Sequence, residues 1–139
     1  MSVYSAEIRL ETQGNDDIHD ISEAVSERVE ESGIKNGIVN VCVIGSTASV
    51  TTIENESGLR GDIKELLEEL IPSSKDWRHN STWDEGNGHA HLRASLIGPS
   101  LTIPFIDSKM TLGTWQQIVF IDSDVKPRSR RLIVQVVGE

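Results

Sequence analysis

A chain of 139 residues with 37% hydrophobic and 25% charged side chains has the size and composition of one globular domain over residues 1–139. No stretch approaches the roughly 20 apolar residues of a spanning helix, and the first residues lack the basic-then-apolar order of a secretory signal, so no membrane partner is expected. A formal charge of −9 repels a phosphate backbone, which excludes broad nucleic-acid binding. Lys126, Arg128, Arg130 and Arg131 still form one basic cluster suited to a small anion.

Residues 3–13 alternate apolar and polar side chains and predict a strand. Asn15 or Asp16 then offers a helix cap, and Ile18, Ile21, Ala24, Val25 and Val29 recur at helical spacing up to a stop at Gly33. GIVNVCVIG (37–45) is rich in β-branched residues and reads as a buried strand, with Cys42 as a core residue rather than a nucleophile. Residues 49–54 predict another strand. Residues 59–70 place Ile63, Leu66, Leu67 and Leu70 on one helical face ahead of Pro72. Residues 73–90 show neither period. Beyond them, 92–97, 101–105, 115–121 and 131–137 are strand candidates separated by Gly-Pro, Asp-Ser-Lys and Lys-Pro turns. The order predicts an α+β fold: mainly antiparallel sheets forming a barrel-like or sandwich core, with two main helices.

The irregular polar segment 77–93 carries most of the chemistry. Three of the four histidines, His79, His89 and His91, fall within it. His89 and His91 are two apart, so on an extended strand both would face one side. Three imidazoles plus water would suit a divalent ion such as zinc, with Asp84 as an alternative ligand; the bland alternative is hydrogen bonding in a polar loop. Gly86 and Gly88 permit a close backbone approach, and Asn87 offers both a donor and an acceptor. Trp77 and Trp83 could stack on a heteroaromatic ring or pin the loop. In LGTWQQ, a strand starting at Gly113 would turn Trp115 and Gln117 to one side and Gln116 to the other. Ser46-Thr47 and Glu54-Asn55 put polar groups at strand ends.

GSTASVTTIEN at 45–55, NGHAHLRASLIGPSL at 87–101, LGTWQQ at 112–117 and PRSRR at 127–131 occur in an order that resembles the YjbQ family. These are small proteins with reported secondary thiamine-phosphate synthase activity. The resemblance runs over nearly the whole chain. It implies a compact α+β barrel-like or sandwich fold, a homotrimer with sites near subunit boundaries, and a site that includes His79, Asn87, His91, Trp115 and Gln116. Glu54, Asn55 and Asp62 occupy the family's acidic and amide positions. Many members have a histidine where this chain has Gly45, and His89 is the candidate replacement.

Three activities follow. The first joins a pyrimidine methyl diphosphate to a thiazole phosphate. Arg93, Arg128, Arg130 and Arg131 would neutralise the leaving diphosphate, Trp77 or Trp83 would stack on the pyrimidine, and a divalent metal (Zn or Mg) could bridge. The second is a metal-dependent hydrolase or lyase in which His79, His89 and His91 hold the ion and Glu54 or Asp62 acts as general base. The third is a non-catalytic binder of a small metabolite. Lone Cys42 and the lack of a targeting segment favour the cytoplasm for all three.

Overall fold

The computed structural model describes residues 1–139. In chain order the elements are β1 (Ser2–Thr12), β2 (Asp17–Asp20), α1 (Ser22–Glu31), β3 (Gly37–Val43), β4 (Ala48–Ile53), α2 (Ser57–Leu70), α3 (His79–Thr82), α4 (Gly88–Ile97), β5 (Ser100–Ile106), β6 (Lys109–Met110), β7 (Gln117–Asp122) and β8 (Arg128–Gly138). Every strand pairing is antiparallel. One sheet runs β1-β8-β3-β5-β6 and curls into a half-barrel, and the second runs β2-β7-β4.

The expected α+β architecture is present, and its core explains the alternation. Ile8 of β1, Val39, Val41 and Val43 of β3, Ile103 and Phe105 of β5, and Leu132, Val134 and Val136 of β8 turn inward from the larger sheet. Val50 of β4 and Ile118 and Phe120 of β7 meet them from the smaller one, and Val25 and Val29 of α1 close the gap. Side chains at every second position share a face, so each strand gives the core alternate residues. No helix is long and apolar enough to cross a membrane.

Three local expectations are corrected. The helix expected from residue 18 starts at Ser22, because Gly14, Asn15 and Asp16 all take positive φ (84°, 56° and 61°) and turn the chain into β2, which pairs with β7. Residues 92–97 are not a strand but the body of α4, a third substantial helix that begins inside the segment expected to be irregular. Trp115 and Gln116 lie in a turn ahead of β7 rather than on it. The other expected elements form, with α2 capped by Glu56, whose carboxylate accepts the Gly58 and Leu59 N–H groups.

Candidate functional site

The polar segment is organised by a close crossing of α3 over the start of α4. Asn80 Oδ1 accepts the Gly88 N–H at 2.9 Å. A Cβ on Gly88 would lie 2.8 Å from Trp77 Cβ and 2.9 Å from Asn80 Oδ1, so only glycine lets these backbones approach. The crossing brings His79 of α3 beside His91 of α4, their ring centroids 4.3 Å apart and tilted by 58°. Burial, and then the neighbouring His79, hold the His91 pKa below its ordinary value, so the ring is neutral at pH 7.

The helical geometry of α4 corrects the expectation that three histidines converge. Two residues along a helix is a rotation of about 200°, so His89 points away from His91. It is 5% exposed. Burial, and then Arg93, hold its pKa down. No group of three or more His, Cys, Asp or Glu side chains comes together as an ion cage.

Arg93 likewise leaves the site it was expected to join. Its side chain is 5% exposed and is held by Asp16 at 2.6 Å, by Glu68 at 2.6 Å and by the Ile71 carbonyl. The guanidinium and two Ser73 hydrogen bonds draw the Glu68 pKa down to about 2. Arg93 is thus a tie between α4, α2 and the β1–β2 turn, with no free edge for a ligand.

Facing the histidine pair lies a charged floor made by the end of β7 and the start of β8. Arg128 and Arg130 are two apart on a strand and share a face. Arg130 Nε and Nη2 donate to the two oxygens of Asp122 at 2.7 and 2.9 Å, and Nη2 also donates to Thr47 Oγ1 at 2.7 Å. Arg128 Nε donates to Asp124 Oδ2 at 2.7 Å. Asp122 and Asp124 are buried, 0% and 1% exposed. Thr12 Oγ1 donates to Asp122, and Thr47 Oγ1 and Asn87 Nδ2 donate to Asp124. Burial alone would raise the Asp124 pKa, but hydrogen bonds from Val125, Thr47 and Asn87 hold it below the usual carboxylate range. Asp124 is therefore held as the carboxylate beneath Arg128.

Two cavities meet at the imidazole pair. The larger, about 630 Å³, is lined by Lys75, Trp77, Arg78, His79 and His91 among others. Lys75 Nζ lies 4.3 Å above the Trp77 ring. The second, about 430 Å³, is lined by Ser46, Trp83, Asn87, Arg128, Arg130 and the same two histidines, with Glu85 at its edge.

Of the expected site residues, His79, His91, Trp77, Trp83, Asn87, Arg128 and Arg130 come together here. Glu54, Asn55, Asp62, Trp115 and Gln116 do not. Gln116 donates to Thr52 Oγ1 and accepts the Gly113 N–H, Asn55 Oδ1 accepts from Arg60, and Glu54 and Asp62 are exposed. Trp115 is 73% exposed. Glu54, Asn55, Trp115 and Gln116 sit at the opposite end of β4 and β7 from Asp124, on the order of 20 Å away along an extended strand, and Asp62 is on α2. Sequence reasoning missed Asp122 and Asp124. Their signal was an Asp-x-Asp closing one strand just ahead of an Arg-x-Arg opening the next.

Residues 6–139 match the family model described as UPF0047 protein YjbQ-like. A UPF0047 protein of Methanothermobacter thermautotrophicus is 43% identical over 139 residues, spanning 100% of this chain and 95% of that protein. One from Archaeoglobus fulgidus is 37% identical over 131 residues, 94% of this chain and 99% of its own. Among solved structures, a YbjQ-like protein of unknown function from Sulfolobus solfataricus P2 superposes with a TM-score of 0.94 at 36% identity, covering 99% of both chains. A hypothetical protein from Aeropyrum pernix K1 reaches 0.91 at 34% identity, over 98% of this chain and 99% of its own. With matches of this extent in sequence and in fold, the chain belongs to the YjbQ/UPF0047 family.

Proposed function

We propose that the protein is a transferase resembling thiamine-phosphate synthase, which joins a pyrimidine methyl diphosphate to a thiazole phosphate between the two cavities. One observation carries this reading: the imidazole pair is shared by two compartments, each with its own two cationic donors, Lys75 and Arg78 beside Asp76 on one side, Arg128 and Arg130 beside Asp124 and Glu85 on the other. Two phosphorylated substrates need two separate sets of cationic hydrogen-bond donors. The C–O bond to diphosphate breaks, and the leaving group takes the electron pair and draws stabilisation from the guanidinium groups. The thiazole nitrogen donates its lone pair to the methylene carbon left behind, giving the thiazolium product. Trp77 or Trp83 offers a face for the pyrimidine. Neutral His91 supplies an N–H donor and a lone pair without adding positive charge beside the developing cation.

Within one chain the metal donors at this place are two imidazoles, short of the three protein ligands of a catalytic zinc, so no step is routed through an ion. A divalent ion would take His79 and His91 and complete its shell from substrate, solvent or another copy. That alternative supports a metal-dependent hydrolase, and metal analysis of purified protein with and without added Zn²⁺ separates the two readings.

The remote position of Glu54, Asn55, Trp115 and Gln116 supports a homotrimer in which a neighbouring copy brings these residues to the cavity. Light scattering after size exclusion tests the trimer. Mixing His91→Ala with Trp115→Ala protein tests the sharing, since mixed trimers regain intact sites. The activity test is thiamine phosphate formation by the wild type and by His91→Ala. A loss of about 100-fold or more is expected, and an unchanged rate refutes the reading.

A further inference from the structure

We propose that Gly45, Arg128 and Arg130 form a phosphoryl-oxyanion subsite, with Gly45 as the residue that makes room for it. The proposal rests on reading the smaller cavity as a substrate site, but not on the transfer reaction.

The Arg130 side chain is 8% exposed, yet it is not used up. Asp122 and Thr47 take Nε and Nη2, whereas Nη1 makes no hydrogen bond within the chain and lies over Gly45. Arg128 repeats the pattern: Nε is on Asp124, Nη2 is 3.7 Å from Glu85, and Nη1 has no partner. The buried aspartates thus hold the inner edges of two guanidinium planes and leave the outer edges, with two N–H groups on each Nη1, toward the cavity. Each free Nη1 can donate charge-assisted hydrogen bonds to the oxygens of a phosphoryl group.

Gly45 sets the space. Its φ of +148° belongs to glycine, and a Cβ there would lie 3.0 Å from Arg130 Nη1. That nitrogen cannot step aside, because its guanidinium is pinned at 2.7 to 2.9 Å by Asp122 and Thr47. A side chain at position 45 therefore strains the turn or displaces Nη1.

Two carboxylates line the cavity: Asp124 is buried and already bonded to Arg128, Thr47 and Asn87, and the exposed one is Glu85. Half exposed, it reaches Arg128 at 3.7 Å and Asn87 Nδ2 at 3.3 Å. Counted together, Arg128 and Arg130 face three carboxylates, Asp122, Asp124 and Glu85. Asp122 and Asp124 are buried and already hold the Nε edges of the two guanidinium groups, so Glu85 is the exposed carboxylate with which an incoming anion competes.

The test is calorimetric titration of inorganic diphosphate into wild type, Gly45→Ala, Arg130→Lys and Glu85→Gln proteins, with a thermal melt of each. Wild type binds. Arg130→Lys keeps the charge but loses the Nη1 donors, and Gly45→Ala crowds them. Each is expected to weaken binding by about tenfold or more, the worth of one charge-assisted hydrogen bond. Glu85→Gln removes the competitor and tightens binding. Absence of wild-type binding overturns the proposal. So does wild-type affinity in a folded Gly45→Ala or Arg130→Lys protein, or a Glu85→Gln protein that binds no tighter. If either of the first two variants fails to fold, Glu85→Gln decides. The expected pattern without thiamine phosphate formation sinks the transferase and keeps the subsite, whereas transfer without the pattern does the reverse.

Discussion

Replacing Arg93 with methionine separates structure from function at a residue whose charge alone suggests substrate binding. The substitution keeps much of the side-chain volume but strands Asp16, which is 3% exposed and whose other oxygen already lacks a partner. Breaking a buried ion pair from one side costs about 3 to 5 kcal/mol, because the surviving charge stays out of water. Glu68 adds little, since its side chain is 49% exposed and solvent screens it. For a chain of 139 residues the unfolding entropy is about 0.3 kcal/mol/K. The melting temperature should therefore fall by about 10 to 17 °C. Circular dichroism melts of Arg93→Met and of the double variant Asp16→Asn/Arg93→Met form the assay, and the double variant should recover most of the loss. Diphosphate affinity of the folded single variant should match wild type. A drop of only a few degrees, or a selective loss of affinity, would refute the assignment of Arg93 as an internal tie.

His79→Gln removes a like charge from beside His91, so the His91 pKa should rise toward its ordinary value; NMR titration of the ring reads this directly, and a further fall would contradict the pairing. Because burial lowers the folded-state pKa of both His89 and His91, the unfolded chain takes up protons first, and stability should decline as pH falls below about 6.5, with His89→Gln flattening that part of a urea-midpoint profile. The depressed Glu68 pKa acts lower down: its contribution is present above about 4.5 and is lost as pH falls toward about 2, which Glu68→Gln should remove from the acid limb. Gly88→Ala should destabilise by about 1 to 3 kcal/mol through overpacking, and it should also push α3 from α4, seen as loss of the His79–His91 coupling in the same titration.

The sheet was legible because burial on one face of an antiparallel strand imposes a two-residue alternation. That rhythm marks β1, β3 and β8 in the sequence as plainly as in the core. The helix α4 was not legible. Its buried side is made of Gly88, Ala90 and Ala94 together with His89 and Arg93, so no run of large apolar residues announced it. Ile18 misled for the opposite reason: it falls in helical step with Ile21 and Val25, but three consecutive left-handed residues ahead of it set a strand. At the site, residue types found the ring pair and the two arginines of the floor, but charge alone could not tell Arg130, which keeps Nη1 open, from Arg93, which does not. That distinction depends on which carboxylates the fold brings within reach, a long-range fact invisible in local spacing.

The place of β8 has one more consequence. It is the last strand in chain order, yet it lies between β1 and β3 and carries both Arg128 and Arg130. During synthesis β1 waits without a partner and β3 with one edge open, the other being able to pair with β5, and the anion-facing floor does not exist until that final ribbon slides in. Such distant pairing slows acquisition of the native state and leaves adhesive borders open meanwhile. Ribosome-bound chains halted before residue 128 should accordingly leave β1 protease-sensitive, with its protection arriving only once β8 is made.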